Sequence, residues 1–352
     1  MLKPVVGCLI GAMCAGGPVL WAQEDSQSSW STSTDLRLRA ESTDVPGRDE
    51  IERLRARLRL GVSYLVSDQL EVGGALRASV GSDDNIDNRR NLDNERSDAI
   101  GVDRLWMRWY ASPDWVVTLG KDDLPLSLSP LLWDEDLRPI GVSSDAHWAV
   151  GDFDGMTVIV GYFAPDFLYE DDARLAAAQV GYHWREGAPS GASVLLSYLH
   201  FDDLDGLVPE GLSRTNRVSA GRLVSDFELL DLQLVARTEW ADWPLELRLD
   251  LARNLGADDQ DEAARISAVL GDRRQPQQWE IGLAAQRIQR DAVLAAASED
   301  DWWFHSFARG VMPWVGYGFN EHLSLRLAAF DERRDDANDS VRRYLFDLQA
   351  RW

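Results

Sequence analysis

The stretch that decides the fold is Val341-Arg-Arg-Tyr-Leu-Phe-Asp-Leu-Gln-Ala-Arg-Trp352. Every second residue from Tyr344 to Trp352 is apolar, whereas Arg343, Asp347 and other polar residues fill most of the positions between them. A repeat of two residues predicts a β-strand with one apolar face. In a soluble sheet that face would pack on a core. An aromatic residue closing a long alternation is, however, typical of a strand that faces lipid in an outer-membrane barrel.

The N-terminal residues predict a secretory signal peptide over 1–22. This segment has one cation, an apolar run, and Ala22 just before a polar stretch. Residues 23–34 are rich in Ser and Thr and are predicted to be a loose leader. Residues 35–352 are then expected to form one domain, a transmembrane β-barrel.

Composition excludes several classes of function. The net charge of -23 argues against nucleic acid as a partner. Both cysteines, Cys8 and Cys14, lie in the signal segment, so no disulfide or thiolate metal site is expected in the mature chain. The histidines lack metal-ligand spacing, and no hydrolase or nucleotide-binding motif is present. We therefore expect neither an enzyme nor a cofactor or metal site.

The clearest strand is predicted from Glu52 to Tyr64. A helix would also place a few of its apolar residues on one face, but six consecutive period-two matches favour a strand. Short turns alternate with longer acidic loops along the chain, as they do between the periplasmic and extracellular ends of an antiparallel barrel. Counting Asp203 to Ser225 as one outer loop gives about sixteen strands, with both termini periplasmic.

Two further segments are expected in the outer loops. The small residues from Asp291 to Ala297 predict a short helix. Acid clusters such as Glu299 to Asp301 are expected to be solvated.

Aromatic residues cluster beside the short turns and predict a girdle at the inner membrane interface. They are Trp106, Trp109, Tyr110, Trp115, Tyr182, Trp184, Trp240, Trp243, Trp314, Tyr317, Phe319 and Trp352.

Arginines occupy the inward positions of the first strands. Facing lipid, each would cost about 2 to 4 kcal/mol near the membrane midplane, so the set must face water or paired acids. Both a structural lattice of ion pairs and a ladder that contacts solutes are compatible with this pattern. Barrel closure brings the last strand beside the first and adds two members. The predicted pore-lining set is Arg37, Arg39, Arg53, Arg55, Arg57, Arg59, Arg77, Arg104, Arg343 and Arg351.

A long non-periodic segment, residues 122–139, is the predicted constriction loop. It is too apolar to be wholly solvated, so we expect it to fold into the lumen rather than to lie on the surface. Its acids would then stand opposite the arginines and set up a transverse field across the pore. The residues assigned to this constriction are Lys121, Asp122, Asp123, Trp133, Asp134, Glu135 and Asp136.

Short motifs along nearly the whole mature chain resemble the putative porin family of Gram-negative outer membranes, which is similar to general and phosphate-selective porins. They are Asp35 to Arg39, Arg53 to Leu60, Val102 to Arg104, Leu119 to Lys121 with Pro125, Leu132 to Leu137 with Gly141, Gln286 to Ile288 with Asp291 to Val293, and the final strand. Asp122 and Asp123 differ from the pattern expected after Gly-Lys. The resemblance implies a pore and does not name its solute.

The sequence thus predicts an outer-membrane porin, a passive diffusion channel with an arginine-lined, loop-constricted lumen. Expected partners are outer-membrane lipid and lipopolysaccharide, small hydrophilic solutes and, in a homotrimer, further copies of the chain. Two alternatives from other classes are an outer-membrane barrel enzyme and a soluble secreted β-sandwich that binds a ligand.

Overall fold

The computed structural model describes residues 29–82, 99–165 and 172–352. The predicted signal peptide, and the leader up to residue 28, lie outside these residues. Among the residues described, no helix has the length and hydropathy needed to cross a bilayer.

Sixteen antiparallel strands close into one barrel. Two short strands, β10 and β11, pair only with each other and lie outside it. The barrel strands are β1 (Trp30–Asp44), β2 (Ile51–Ser67), β3 (Leu70–Gly81), β4 (Ala99–Ser112), β5 (Trp115–Lys121), β6 (Ile140–Val150), β7 (Asp154–Ala164), β8 (Arg174–Trp184), β9 (Gly191–Asp202), β12 (Phe227–Trp240), β13 (Trp243–Asn254), β14 (Glu262–Gly271), β15 (Trp279–Ile288), β16 (Ala308–Gly318), β17 (Leu323–Arg334) and β18 (Val341–Arg351). The pair outside the barrel is β10 (Val218–Ser219) and β11 (Arg222–Leu223).

The first and last barrel strands close the sheet. β18 pairs with β1 from Asp35↔Arg351 to Asp44↔Arg342, and β1 pairs with β2 on its other side. Outward residues such as Leu60 and Phe346 are exposed, which suits a surface that contacts lipid. The predicted barrel of about sixteen strands is confirmed, and the alternative of a soluble β-sandwich is wrong because the sheet closes on itself.

Strand β1 begins earlier than predicted. Residues 30–34, assigned to the loose leader, are strand and pair with β2 from Trp30↔Tyr64 onward. The Ser and Thr residues of this stretch suit an extended backbone as well as a leader.

Two tryptophans of the predicted aromatic girdle lie inside the barrel, one of them because of a bulge. The register of β3 and β4 shifts between Ala75 and Leu76, so the β4 positions beyond that point exchange faces. Trp106 therefore lies inside, where the Arg108 guanidinium stacks 3.9 Å from its ring centre. Trp314 also points inward and donates to Glu280 at 2.8 Å. Trp109, Trp115, Trp184 and Trp240 are exposed on the outer face near the short turns, as predicted.

Candidate functional site

The inner faces of β1, β2 and β18 form a basic surface that we call the arginine wall. Its members are Arg37, Arg39, Arg53, Arg55, Arg57, Arg59 and Arg343. The alternation that turns the intervening leucines toward lipid turns these side chains inward. Arg39, Arg53, Arg57 and Arg343 are each no more than 5% exposed, so the wall is enclosed rather than solvated.

Acids on the same strands neutralise part of this wall. Arg39 contacts Asp347 at 2.6 Å across the β1–β18 seam. Glu41 accepts hydrogen bonds from both Arg55 and Arg343. A lattice of ion pairs therefore supports the seam of the barrel, in line with one of the two interpretations left open by the sequence.

The remaining predicted pore-lining arginines lie at the edges of the wall. Arg77 on β3 is half-buried. Arg104 on β4 contacts Asp123 at 3.1 Å. Arg351 is largely exposed near the short turns and contacts Asp35 at 2.9 Å.

The segment 122–139 leaves β5 after Lys121 and crosses the lumen before β6 begins. Leu131, Leu132 and Leu137 are no more than 1% exposed. They pack with inward apolar residues of β7, β8 and β9, including Phe163 and Leu175. Burial of these side chains holds the segment inside the barrel, since each would stabilise the seated loop by about 1.5–3 kcal/mol.

Asp136 joins this loop to the arginine wall. Its carboxylate oxygens lie 2.9 Å from Arg57 Nη1 and 2.8 Å from Arg59 Nη2, with Arg37 Nη2 at 3.6 Å. The sequence prediction placed the loop acids opposite the arginines across an open gap. The structure instead brings Asp136 into direct contact with them, so this carboxylate offsets part of the positive charge of the wall at this level of the lumen.

The other predicted constriction residues take different places. Asp122 accepts from Arg108 at 2.6 Å, and Asp123 lies 2.9 Å from Arg138, so both anchor the ends of the loop. Trp133 belongs to the buried apolar cluster, Glu135 is exposed, and Lys121 is half-buried at the end of β5. Asp134 is buried and its backbone N–H donates to the carbonyl oxygen of Ala297 at 2.8 Å.

A second loop, residues 289–307, also enters the lumen, and sequence reasoning missed it. The predicted helix from Asp291 to Ala297 is wrong, since these residues form turns and are buried. The expectation that Glu299 to Asp301 are solvated is also wrong. Asp301 contacts Arg39 at 2.5 Å and Arg326 at 3.6 Å on the barrel wall.

Residues 203–226 hold this second loop in place. Leu207 and Leu212 belong to the same buried apolar cluster. The Asn216 side-chain amide donates to the Arg290 and Val293 carbonyl oxygens at 2.8 and 3.0 Å. As predicted, this segment adds no strand to the barrel, but it packs inward instead of extending into solvent.

Three acids meet where the two inserted loops touch. Carboxylate oxygens of Asp134, Glu299 and Asp300 lie within 4.8 Å of one another. Burial, reinforced by the neighbouring acids, raises the pKa of Asp134 and of Glu299. A carboxyl of this group is therefore more easily protonated than an ordinary one.

Asp136 and Asp301, the loop acids that contact Arg57 and Arg39 of the wall, behave in the opposite way. Burial alone would raise the pKa of Asp136, but Arg57, Arg59 and Arg37 outweigh it and hold that pKa well below its usual range. Burial is likewise outweighed at Asp301, mainly by Arg39, so its pKa is lowered. Both carboxylates stay ionised at neutral pH.

Two lumen cavities meet at Asp136. One has a volume of about 570 Å³ and extends toward the short turns, with Arg237, Arg273 and Trp314 in its lining. The other, of about 340 Å³, lies between loop 122–139 and the arginines of β2. Arg57, Glu135 and Asp136 line both, so the contact between Asp136 and the wall is part of the partition between the two cavities.

Comparisons with known proteins fit this architecture. A family model described as putative porin matches residues 32–222. No curated protein matches the chain. Solved structures similar in fold include OprB of Pseudomonas putida at high pH, with 12% identity, a TM-score of 0.60, and coverage of 92% of this chain and 94% of that one.

Two further solved structures show the same fold. A loop-deletion mutant of OmpT, an outer membrane protein of Vibrio cholerae, has 12% identity and a TM-score of 0.55, with 92% of this chain and 100% of that chain covered. A triple mutant of the Rhodopseudomonas blastica porin has 10% identity and a TM-score of 0.54, again with 92% and 100% covered.

Proposed function

The chain belongs to the putative porin family, and on that premise we propose that it is a passive diffusion channel of the outer membrane for small hydrophilic solutes. In this proposal two inserted loops, 122–139 and 289–307, narrow the lumen against the arginine wall. Diffusion through such a pore makes and breaks no bond, so the protein acts without catalysis.

The observation that carries the proposal is the position of Asp136. It lies between two polar cavities and contacts three arginines of the wall. A solute that crosses this level must pass charged groups held in place by ion pairs and by the apolar anchoring of the loop. Pore radius and lining charge together then decide which solutes pass.

The orientation is part of the same proposal. The short turns and both termini face the periplasm, and the longer loops face the outside. The exposed tryptophans beside the short turns then lie at the inner membrane interface. A homotrimer would bring three such barrels together through their outer apolar faces.

Swelling of protein-loaded liposomes tests the channel. The purified protein should admit small sugars at rates that fall steeply with solute size, because the inserted loops narrow the lumen. Its folded state should be checked by the faster gel migration of the unheated form. Uptake no faster than in empty liposomes, by protein that is folded in this sense, would contradict the proposal.

A further inference from the structure

Three arginines form a row on the outer surface at the end of the barrel where the longer loops lie. Arg287 on β15 pairs in register with Arg309 on β16, which pairs with Arg333 on β17. We propose that this arginine row binds the phosphate groups of a phosphorylated glycolipid in the outer leaflet. The inference rests on the proposed outer-membrane location and adds a lipid site that is separate from the lumen.

The row faces outward. Arg287 and Arg309 are exposed, and Arg333 is half-buried on the same face. The neighbours on either side of Arg287 along the chain, Gln286 and Ile288, are buried on the inner side. The three guanidinium groups therefore face the outside of the barrel and are not part of the arginine wall.

The row also lies at the level where lipid headgroups are found. Arg287 is eight residues from Trp279, the exposed aromatic residue at the short-turn end of the same strand. At about 3.3 Å per residue that separation is about 26 Å along the strand. With a strand tilt of about 40° it is about 20 Å along the membrane normal, close to the height of about 25 Å of an apolar band. Ile281 and Leu283 fill the interval with exposed apolar side chains.

Like charges directly opposite one another on adjacent strands destabilise a sheet. Within the described part of the chain, Arg309 and Arg333 make no ion pair, and Arg287 has only Asp335 at 3.5 Å. The acids two residues before and after Arg333 have other partners: Asp331 contacts Arg342 and Asp335 contacts Arg287, both at 3.5 Å. An anion from outside would offset the repulsion.

The chemistry of the row selects phosphate. Guanidinium groups bind phosphate oxygens through two parallel hydrogen bonds, and neighbouring arginines can share one phosphate or hold two. Other outward arginines near this level have an acid partner within the chain, as Arg287 does, whereas Arg309 and Arg333 make no ion pair with the described residues. Arg253 contacts Asp261 at 2.8 Å, and Arg342 contacts Asp331 at 3.5 Å.

Binding of a diphosphorylated lipid A to the folded, detergent-solubilised protein tests the proposal. Native mass spectrometry should detect the bound lipid, and removal of both phosphates from the lipid should weaken binding at least about tenfold. The double substitution Arg309→Gln with Arg333→Gln should produce a similar loss for the phosphorylated lipid and little change for the dephosphorylated one. Arg253→Gln, on the same rim but ion-paired, is the matched control and should bind like the wild type.

Equal binding of the two lipids would overturn the proposal, as would an unchanged affinity in the double variant. An equal loss in Arg253→Gln would also overturn it, because rim charge in general would then explain the binding. Liposome swelling in phospholipid alone separates this inference from the proposed function. Normal solute uptake without phosphate-dependent lipid binding would reject only the lipid site, whereas absent uptake would reject the channel.

Discussion

Asp136→Asn should release loop 122–139 from the arginine wall. Asparagine keeps the shape of the side chain and removes its charge. The wild-type carboxylate contacts Arg57 at 2.9 Å and Arg59 at 2.8 Å, with Arg37 at 3.6 Å. The variant removes the one loop carboxylate that these three cations share.

The expected energetic effect is large because the pair is enclosed. The side chains of Arg57 and Asp136 are 4% and 14% exposed, so solvent screens the interaction little. Removing one partner of a buried pair typically costs about 3–5 kcal/mol. Arg57 keeps Asp35 at 3.1 Å and Arg59 keeps Asp103 at 3.2 Å, so the lower end of that range applies here. A cost of that size changes the equilibrium between the seated and released loop at least about a hundredfold.

Single-channel recording in a planar lipid bilayer measures the consequence. The variant should show a larger conductance than the wild type, because the partition between the two lumen cavities opens. Its reversal potential in a salt gradient should shift toward anions, because the arginine wall loses one neutralising carboxylate. Glu135→Gln is the matched control, since this neighbouring acid is exposed and makes no ion pair with the described residues.

Two results would refute the reasoning. One is a conductance and reversal potential for Asp136→Asn that equal those of the wild type. The other is a Glu135→Gln variant with the same changes as Asp136→Asn, because loss of any lumen acid would then be sufficient. Both variants must show the heat-modifiable gel migration of a folded barrel.

Three further predictions concern the inserted loops. Asp301→Asn removes the negative charge that lies 2.5 Å from Arg39 and should raise the conductance by loosening loop 289–307. An unchanged conductance would show that this loop does not narrow the pore. Leu132→Ala should weaken the anchoring of loop 122–139 by about 2–5 kcal/mol, since the side chain is 1% exposed. The variant should keep its barrel but lose this loop to proteolysis faster than the wild type. Equal cleavage rates in the two proteins would contradict this prediction. Burial raises the pKa of Glu299, so the stability of the junction between the two loops is full below the ordinary carboxyl range and falls as pH rises through the raised pKa. Proteolytic cleavage of the loops should therefore increase with pH in the wild type and increase less in Glu299→Gln. The same pH profile in both proteins would contradict this prediction.

The barrel itself could be predicted from the sequence because period-two alternation is a strong signal. Arg53, Arg55, Arg57 and Arg59 alternate with apolar residues and identify both faces of β2. Parity of the strand count then excluded a barrel strand between Asp203 and Ser225. These inferences depend only on local pattern and on the requirement that an antiparallel barrel closes.

The second inserted loop could not be predicted in the same way. Glu299 to Asp301 have the composition of a solvated loop, and their burial depends on arginines such as Arg39, which lies far away in sequence. The small residues from Ala292 to Ala297 favour a helix locally, yet packing against loops 122–139 and 203–226 gives turns instead. Only the three-dimensional arrangement reveals these contacts.

A strand bulge is similarly hidden from a one-dimensional pattern. One extra residue in β4 exchanges the faces of the residues that follow, which moves Trp106 from the predicted girdle into the lumen. The extra position, Asp103, is 2% exposed and carries a charge inside, which is the local signal that the alternation has shifted.

The conductance of the wild-type protein in a planar bilayer tests the central claim most directly. A passive porin should insert in discrete steps of uniform size, with current that is proportional to voltage and carried without any added energy source. Folded, heat-modifiable protein that inserts into the bilayer and gives no conductance above background would contradict the claim, because the inserted loops would then close the lumen rather than narrow it.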